Sequence, residues 1–172
     1  MANPGNESEP MRIVRLTEFT NLNLDKQGFE NLDEAAKVRL RWPLRFTPAV
    51  SIVLIMVGLG LRSPIWLGSM AIVALSGVLL RSGMLIDLVY NLGFRHLVRS
   101  TRLPPTPKPR QFSYLLSFLL LATSAFSFWQ GLPVLGYLTG GMVVAGGAIL
   151  TTTLWCLGSW VYRATLAWAA HR

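Results

Sequence analysis

The sequence predicts an all-α integral membrane protein with four transmembrane helices arranged as two helical hairpins. Two observations predict this class. The 172-residue chain is 52% hydrophobic and only 14% charged, whereas soluble domains carry about 25% charged residues. Its apolar residues also fall into four long runs that contain no Asp, Glu, Lys, Arg or His: 47–61, 64–80, 112–129 and 133–162. No run alternates in the way of a transmembrane β-strand.

The lengths of these runs suit a bilayer. At 1.5 Å per residue the first three reach about 22 to 27 Å, against a hydrocarbon core of roughly 30 Å, so flanking residues such as Leu44 and Phe46 extend them. The fourth run would reach about 45 Å and must tilt, bend or protrude. Pro64 and Pro133 follow the short turns within each pair of runs, at a position where proline opens a helix. Each pair therefore predicts a hairpin.

The basic residues predict the orientation. Of the sixteen Lys and Arg residues, only Arg62 lies in a turn within a hairpin; the others precede the first run, separate the two pairs or follow the last run. Cytoplasmic loops carry the excess of Lys and Arg. We expect a multi-pass membrane protein with both termini in the cytoplasm.

The chain divides into five predicted segments. They are an acidic cytoplasmic N-terminal arm (1–36), a juxtamembrane helix with the first hairpin (37–81), an interfacial amphipathic helix with a Pro-rich linker (82–110), the second hairpin (111–163) and a cytoplasmic C-terminal tail (164–172). The arm is soluble in character because it holds seven of the eight acidic residues. A helix start is predicted there, with Asn31 as its cap and Glu34 three residues later.

The spans hold little that is suited to chemistry. Apart from tyrosines, Cys156 is their only ionisable side chain, and both histidines lie outside them, so two facing haem ligands are not available. The sequence has no HExxH motif, no phosphate loop and no paired carboxylates. We therefore expect no enzyme activity, no metal site and no cofactor of the protein's own.

The interfacial helix supplies the candidate contacts to partner subunits or anionic lipids. These are Asp87, Arg95, His96, Arg99 and Arg102. Asp87 is the only acid after residue 34, and it is expected either to bond Arg81, Asn91 or Arg95 or to form a proton or partner site. Nucleic-acid binding is not expected, because no aromatic residues are interleaved with the bases on a soluble module.

Small residues mark the fourth run as a packing helix. Gly136, Gly140, Gly141 and Ala145 are spaced so that another helix can approach closely. Their partner is a helix of the same chain, a different subunit, or a flat pigment or quinone bound by a neighbouring subunit.

Three short motifs carry a resemblance to a known family: RWPLRF at 41–46, PKPRQF at 107–112 and WCLGSWVY at 155–162. With these motifs, residues 40–165 resemble an uncharacterised bacterial family of four-span membrane proteins, a domain of unknown function (the 4395 family). The resemblance implies that the protein lies in the bacterial cytoplasmic membrane, inner or intracytoplasmic. Members of that family often end in Cys-x-x-Cys, which implies thiol redox or sulfur handling at the cytoplasmic membrane face. Here Cys156 matches the first cysteine, and Ser159 stands at the second. One thiol cannot resolve a mixed disulfide by itself, so Cys156 is either a packing residue or a single reactive thiol.

Two functions follow as expectations. The first is a non-catalytic accessory subunit of a photosynthetic or respiratory membrane complex, associated with other membrane subunits. The second is a thiol-redox or sulfur-handling protein that acts through Cys156. A small transporter is a more distant third, because the two hairpins begin alike and repeated units occur in transporters.

Overall fold

A computed structural model describes residues 8–80, 83–95 and 103–170. Within these ranges the chain forms helices and no strand, which confirms the predicted all-α class. The helices are α1 (Ser8–Lys26), α2 (Glu34–Gly60), α3 (Pro64–Leu79), α4 (Leu85–Val89), a π-helical segment (Tyr90–Phe94), α5 (Lys108–Trp129), α6 (Pro133–Thr153) and α7 (Leu157–Ala170).

Three of the described helices, α2, α5 and α6, are long and apolar enough to cross a membrane. The prediction of four such helices is therefore wrong in number. The second predicted span is α3, which is apolar but only 16 residues long, or about 24 Å. It ends early because Leu80 leaves the helix with extended backbone angles (φ −94°, ψ 123°).

The helices nevertheless form two antiparallel hairpins. Pro64 lies in the first turn of α3 and Pro133 in the first turn of α6, as predicted. The indole Nε1 of Trp66 in α3 donates to the carbonyl of Leu54 in α2 at 2.8 Å. In the second hairpin, the hydroxyl of Ser124 in α5 donates to the carbonyl of Gly136 in α6 at 2.7 Å. Both bonds tie the two helices of a hairpin together close to their turn.

The core between the hairpins is apolar. Ile55, Leu59, Leu67, Ala71 and Leu121 are buried there, from α2, α3 and α5. Gly77 of α3 lies against the ring of Tyr114 in α5, where an added Cβ would come within 2.5 Å of the ring. A side chain at Gly77 would therefore push α3 away from α5.

The fourth apolar run is broken into two helices. α6 ends at Thr153, Leu154 adopts a left-handed conformation (φ 54°), and α7 begins at Leu157. The Leu154 side chain is fully buried in a second apolar cluster with Leu24, Leu44 and Tyr90. Burial in this cluster holds a conformation that leucine rarely adopts, so the run bends instead of protruding.

The arm carries a helix, α1, that docks on this bend. Asn23 Nδ2 donates to the carbonyl of Thr153 at 3.0 Å, and Gln27 Nε2 donates to that of Leu154 at 2.6 Å. The helix α2 begins near the end of the arm and is capped by Asp33, whose Oδ1 accepts from the Ala36 N–H at 3.3 Å. The predicted cap, Asn31, was wrong by two residues, because only a side chain directly before the first turn reaches its free N–H groups.

The bundle thus has two distinct ends. One end, here called the turn end, holds the turns at 61–63 and 130–132. The other, the arm end, gathers α1, α4, α7 and the starts of α2 and α5. Of the predicted interfacial helix, residues 85–94 are helical, and residues 96–102 lie outside the described part of the chain.

Candidate functional site

Asp87 is the centre of a buried polar cluster at the arm end. Its side chain is only 3% exposed. Oδ1 accepts a hydrogen bond from the hydroxyl of Thr47, and Oδ2 accepts from the Met84 N–H at 3.0 Å and from the Tyr114 hydroxyl at 3.1 Å. These bonds connect α4 to both α2 and α5. Thr47 lies at the start of the first apolar run, so these bonds hold α4 beside the start of that run.

Arg110 supplies the counter-charge for Asp87. It is 5% exposed, and its Nη2 lies 3.9 Å from Asp87 Oδ1. Its Nε donates to the Tyr114 hydroxyl at 3.0 Å, and that hydroxyl in turn donates to Asp87. Tyr114 therefore links the two charged groups, which together form a buried pair with no net charge.

A cavity of about 220 Å³ lies directly beside this cluster. Its walls are mostly apolar and come from α2, α3, α5 and α6. Its polar groups come from the arm end of the bundle. The main lining residues are Thr47, Ser51, Ile55, Met70, Arg110, Ser113, Tyr114, Leu121, Met142, Val143, Gly146 and Cys156. The shape is that of a small-molecule site, where apolar walls surround a few polar groups.

Cys156 also lies at this cavity. It is 8% exposed, and its Sγ lies 2.9 Å from the hydroxyl of Ser113 in α5. The same Ser113 hydroxyl is 3.5 Å from Ser159 Oγ. Positions 156 and 159 therefore face a common neighbour, but they provide one thiol and one hydroxyl. In the described part of the chain, no three His, Cys, Asp or Glu residues are placed to hold a metal ion.

The predicted contact residues are separated by the structure. Asp87 lies inside the protein, so it is not available to lipid headgroups. Its partners are Thr47, Tyr114 and Arg110, whereas the expected partners were Arg81, Asn91 or Arg95. Asn91 instead accepts from the Leu103 N–H at 2.8 Å. Arg95 is partly exposed, and His96, Arg99, Arg102 and Arg81 lie outside the described residues.

The four small residues of α6 also divide into two groups. Gly136 lies against the Phe128 ring, and Gly140 lies against Leu59 and Ser124, so both serve contacts within the chain. A Cβ added at Gly141 would meet nothing within 4 Å, and Ala145 is exposed. The first pair therefore faces the bundle, and the second pair faces outward.

Sequence reasoning missed three members of the polar cluster: Thr47, Arg110 and Tyr114. One local signal was available, since Arg110 and Tyr114 are spaced four residues apart and therefore share a helix face. Their relation to Asp87 had no such signal, because Asp87 is separated from them by the linker.

Comparison with known protein families gives a match. The family model described as "Domain of unknown function (DUF4395)" matches residues 42–166. This region runs from α2 into α7 and includes the polar cluster, the cavity and Cys156. No curated protein and no solved structure matches the chain. The family model covers well over half of the sequence and agrees with the resemblance carried by the three motifs, so the chain belongs to the DUF4395 family.

Proposed function

We propose that this protein is a non-catalytic accessory subunit of a larger bacterial membrane assembly, photosynthetic or respiratory, and that it binds a helix of another subunit through the outer face of α6. The observation that carries the proposal is the unfilled space at Gly141 and the exposure of Ala145 four residues later. Leu138 and Ile149, also in α6, are exposed apolar residues. Small residues at this spacing allow the backbones of two helices to approach closely in lipid.

The distribution of charge supports an orientation for this subunit. The turn end carries Arg62 as its one basic residue among those described, and the arm end carries many, among them Lys26, Lys37, Arg39, Arg41, Arg45, Arg95, Lys108, Arg110 and Arg163. Since basic residues accumulate on the cytoplasmic side, the arm end faces the cytoplasm of a cytoplasmic or intracytoplasmic membrane. Its exposed bases contact anionic lipids there, and both termini lie on that side.

The test is a substitution that fills the outer face of α6. We expect the double variant Gly141→Leu/Ala145→Leu to fold normally and to lose its association with other subunits. The protein would be isolated from its native membranes in mild detergent, with mass and co-purifying subunits measured together. The matched control is Gly68→Leu in α3, where an added Cβ also meets nothing within 4 Å.

Two results would count against the proposal. One is a wild-type protein that leaves the membrane as a free monomer. The other is a double variant that keeps its partner subunits to the same extent as the Gly68→Leu control.

A second function is favoured by the position of Cys156 at a cavity instead of at the lipid surface. In this function Cys156 takes part in thiol–disulfide exchange with a thioredoxin-like partner. The test uses a thioredoxin that keeps one active-site cysteine, to which thionitrobenzoate is attached through a disulfide. The Cys156 thiolate would displace the coloured thionitrobenzoate anion and form a mixed disulfide with the partner. Cys156→Ala is the control, and equal colour release from both proteins would eliminate this function.

The serine at 159 allows a further check of this second function. Because Cys156 and Ser159 both approach Ser113, Ser159→Cys should create a pair that closes to a disulfide in air. Maleimide labelling would then detect no thiol before reduction and two after it. Two free thiols after prolonged oxidation would show that the local geometry does not suit a Cys-x-x-Cys pair.

A further inference from the structure

We infer that the cavity between the hairpins binds an uncharged apolar molecule that presents a carbonyl oxygen to Arg110. A quinone ring and the acyl ester of a membrane lipid both carry this chemistry. The inference concerns the interior of the protein and does not depend on the outer face of α6.

The cavity has room for such a molecule. Protein interiors are close-packed, and voids larger than a water molecule are few. An apolar cavity of about 150 Å³ is known to accept benzene, and this one measures about 220 Å³. Ile55, Met70, Leu121 and Val143 contribute its apolar walls, which suit a single ring or a short stretch of acyl chain.

The polar end of the cavity offers donors for a carbonyl oxygen. The Arg110 guanidinium has five N–H groups, and the hydrogen bond to Tyr114 uses the one on Nε. The hydroxyl of Ser51 is buried and has no hydrogen-bond partner. An unpaired buried polar group is destabilising, and a ligand oxygen would satisfy it. The site is therefore apolar along its walls and rich in donors at one end.

The charges at this end favour a neutral ligand. Asp87 already balances Arg110, and its carboxylate already accepts three hydrogen bonds. A ligand carboxylate would bring a second negative charge close to Asp87 in a region that water does not screen. A carbonyl accepts hydrogen bonds from Arg110 and Ser51 without adding a charge.

The experiment measures binding to the purified full-length protein, immobilised in detergent. Three probes are compared: decylubiquinone, a short-chain diacylglycerol, and decylbenzene as an apolar molecule without a carbonyl. We expect saturable binding of one of the two carbonyl probes, at about one molecule per chain, and at least about tenfold weaker binding of decylbenzene. Tighter binding of the quinone or of the diacylglycerol identifies which carbonyl source the site prefers.

Two variants locate the site. Gly146 lines the cavity, and a Cβ added there would meet nothing within 4 Å, so Gly146→Leu places a side chain at the cavity and should weaken binding at least tenfold. Arg110→Gln should weaken carbonyl binding about tenfold and leave decylbenzene unchanged. If Arg110→Gln fails to fold, Ser51→Ala provides the same comparison. Gly68→Leu, away from the cavity, is the matched control.

The native cysteine gives a second readout. Cys156 lines the cavity, so a bound probe should slow its alkylation by N-ethylmaleimide in the wild-type protein. The inference is overturned if neither carbonyl probe binds saturably, if decylbenzene binds as well as they do, or if Gly146→Leu binds with wild-type affinity. These binding results come from the isolated chain. They test the cavity independently of the co-purification experiment, which tests the proposed association with partner subunits.

Discussion

At the scale of single residues, breaking the buried Asp87–Arg110 pair should cause the largest loss of stability. Both side chains are almost completely buried. Removing one member of a buried ion pair leaves the other charge without a partner, whereas removing both does not. The pair therefore makes a specific prediction about stability.

We predict that Asp87→Ala destabilises the protein by about 3–5 kcal/mol. The variant loses the acceptors for Thr47 and Tyr114 and leaves the Arg110 charge buried. The double variant Asp87→Ala/Arg110→Met should recover much of this loss, because no unpaired charge remains. Thermal unfolding of the purified proteins in one detergent compares them. A double variant as unstable as the sum of the two single variants would show that the charges do not interact.

At the scale of elements, the docking of α1 on the bend between α6 and α7 joins the arm to the bundle. The last carbonyl groups of a helix have no partner within the helix. Here Asn23 and Gln27 donate to the carbonyls of Thr153 and Leu154. Arg163 of α7 adds hydrogen bonds to the carbonyls of Asp25 and Lys26 and an ion pair with Glu30.

We predict that Asn23→Ala/Gln27→Ala loosens the arm without unfolding the hairpins. Each lost hydrogen bond is worth about 1 kcal/mol. The fraction of molecules with an undocked arm should therefore rise at least about tenfold. Limited trypsin digestion would measure this as faster cleavage after Lys26. Glu18→Ala, at an exposed position of α1, should be cleaved at the wild-type rate. Equal cleavage of all three proteins would mean that α1 is held by other contacts.

At the scale of the whole molecule, the two ends of the bundle should lie on opposite sides of the membrane. The prediction uses single cysteines in a Cys156→Ala background. Gln130→Cys at the turn end should react with a membrane-impermeant maleimide in intact cells, since Gln130 is exposed. Asn31→Cys, exposed at the arm end, should react only after the cells are permeabilised. The opposite pattern would reverse the proposed orientation.

Several parts of the fold were predictable because their cause is local. Runs of apolar residues mark α2, α5 and α6, and Pro64 and Pro133 mark helix starts at the turns. The extended linker at 103–107 follows from its prolines. The run at 64–80 also marks α3, which ends at Leu79, one residue before the run does. The return of α4 toward α2, where Asp87 meets Thr47, was not predictable in this way, because it joins residues 40 positions apart.

By itself, the sequence determined an all-helical chain with spans of membrane length, tight proline turns and a single thiol, because hydrophobicity and backbone geometry act within a few neighbouring residues. Only the tertiary structure decided the partners of Asp87, the left-handed bend at Leu154, the docking of α1 and the cavity at Arg110 and Cys156. Each of these joins residues that are far apart in the chain. Their contacts depend on how the hairpins pack together, and no local pattern records that packing.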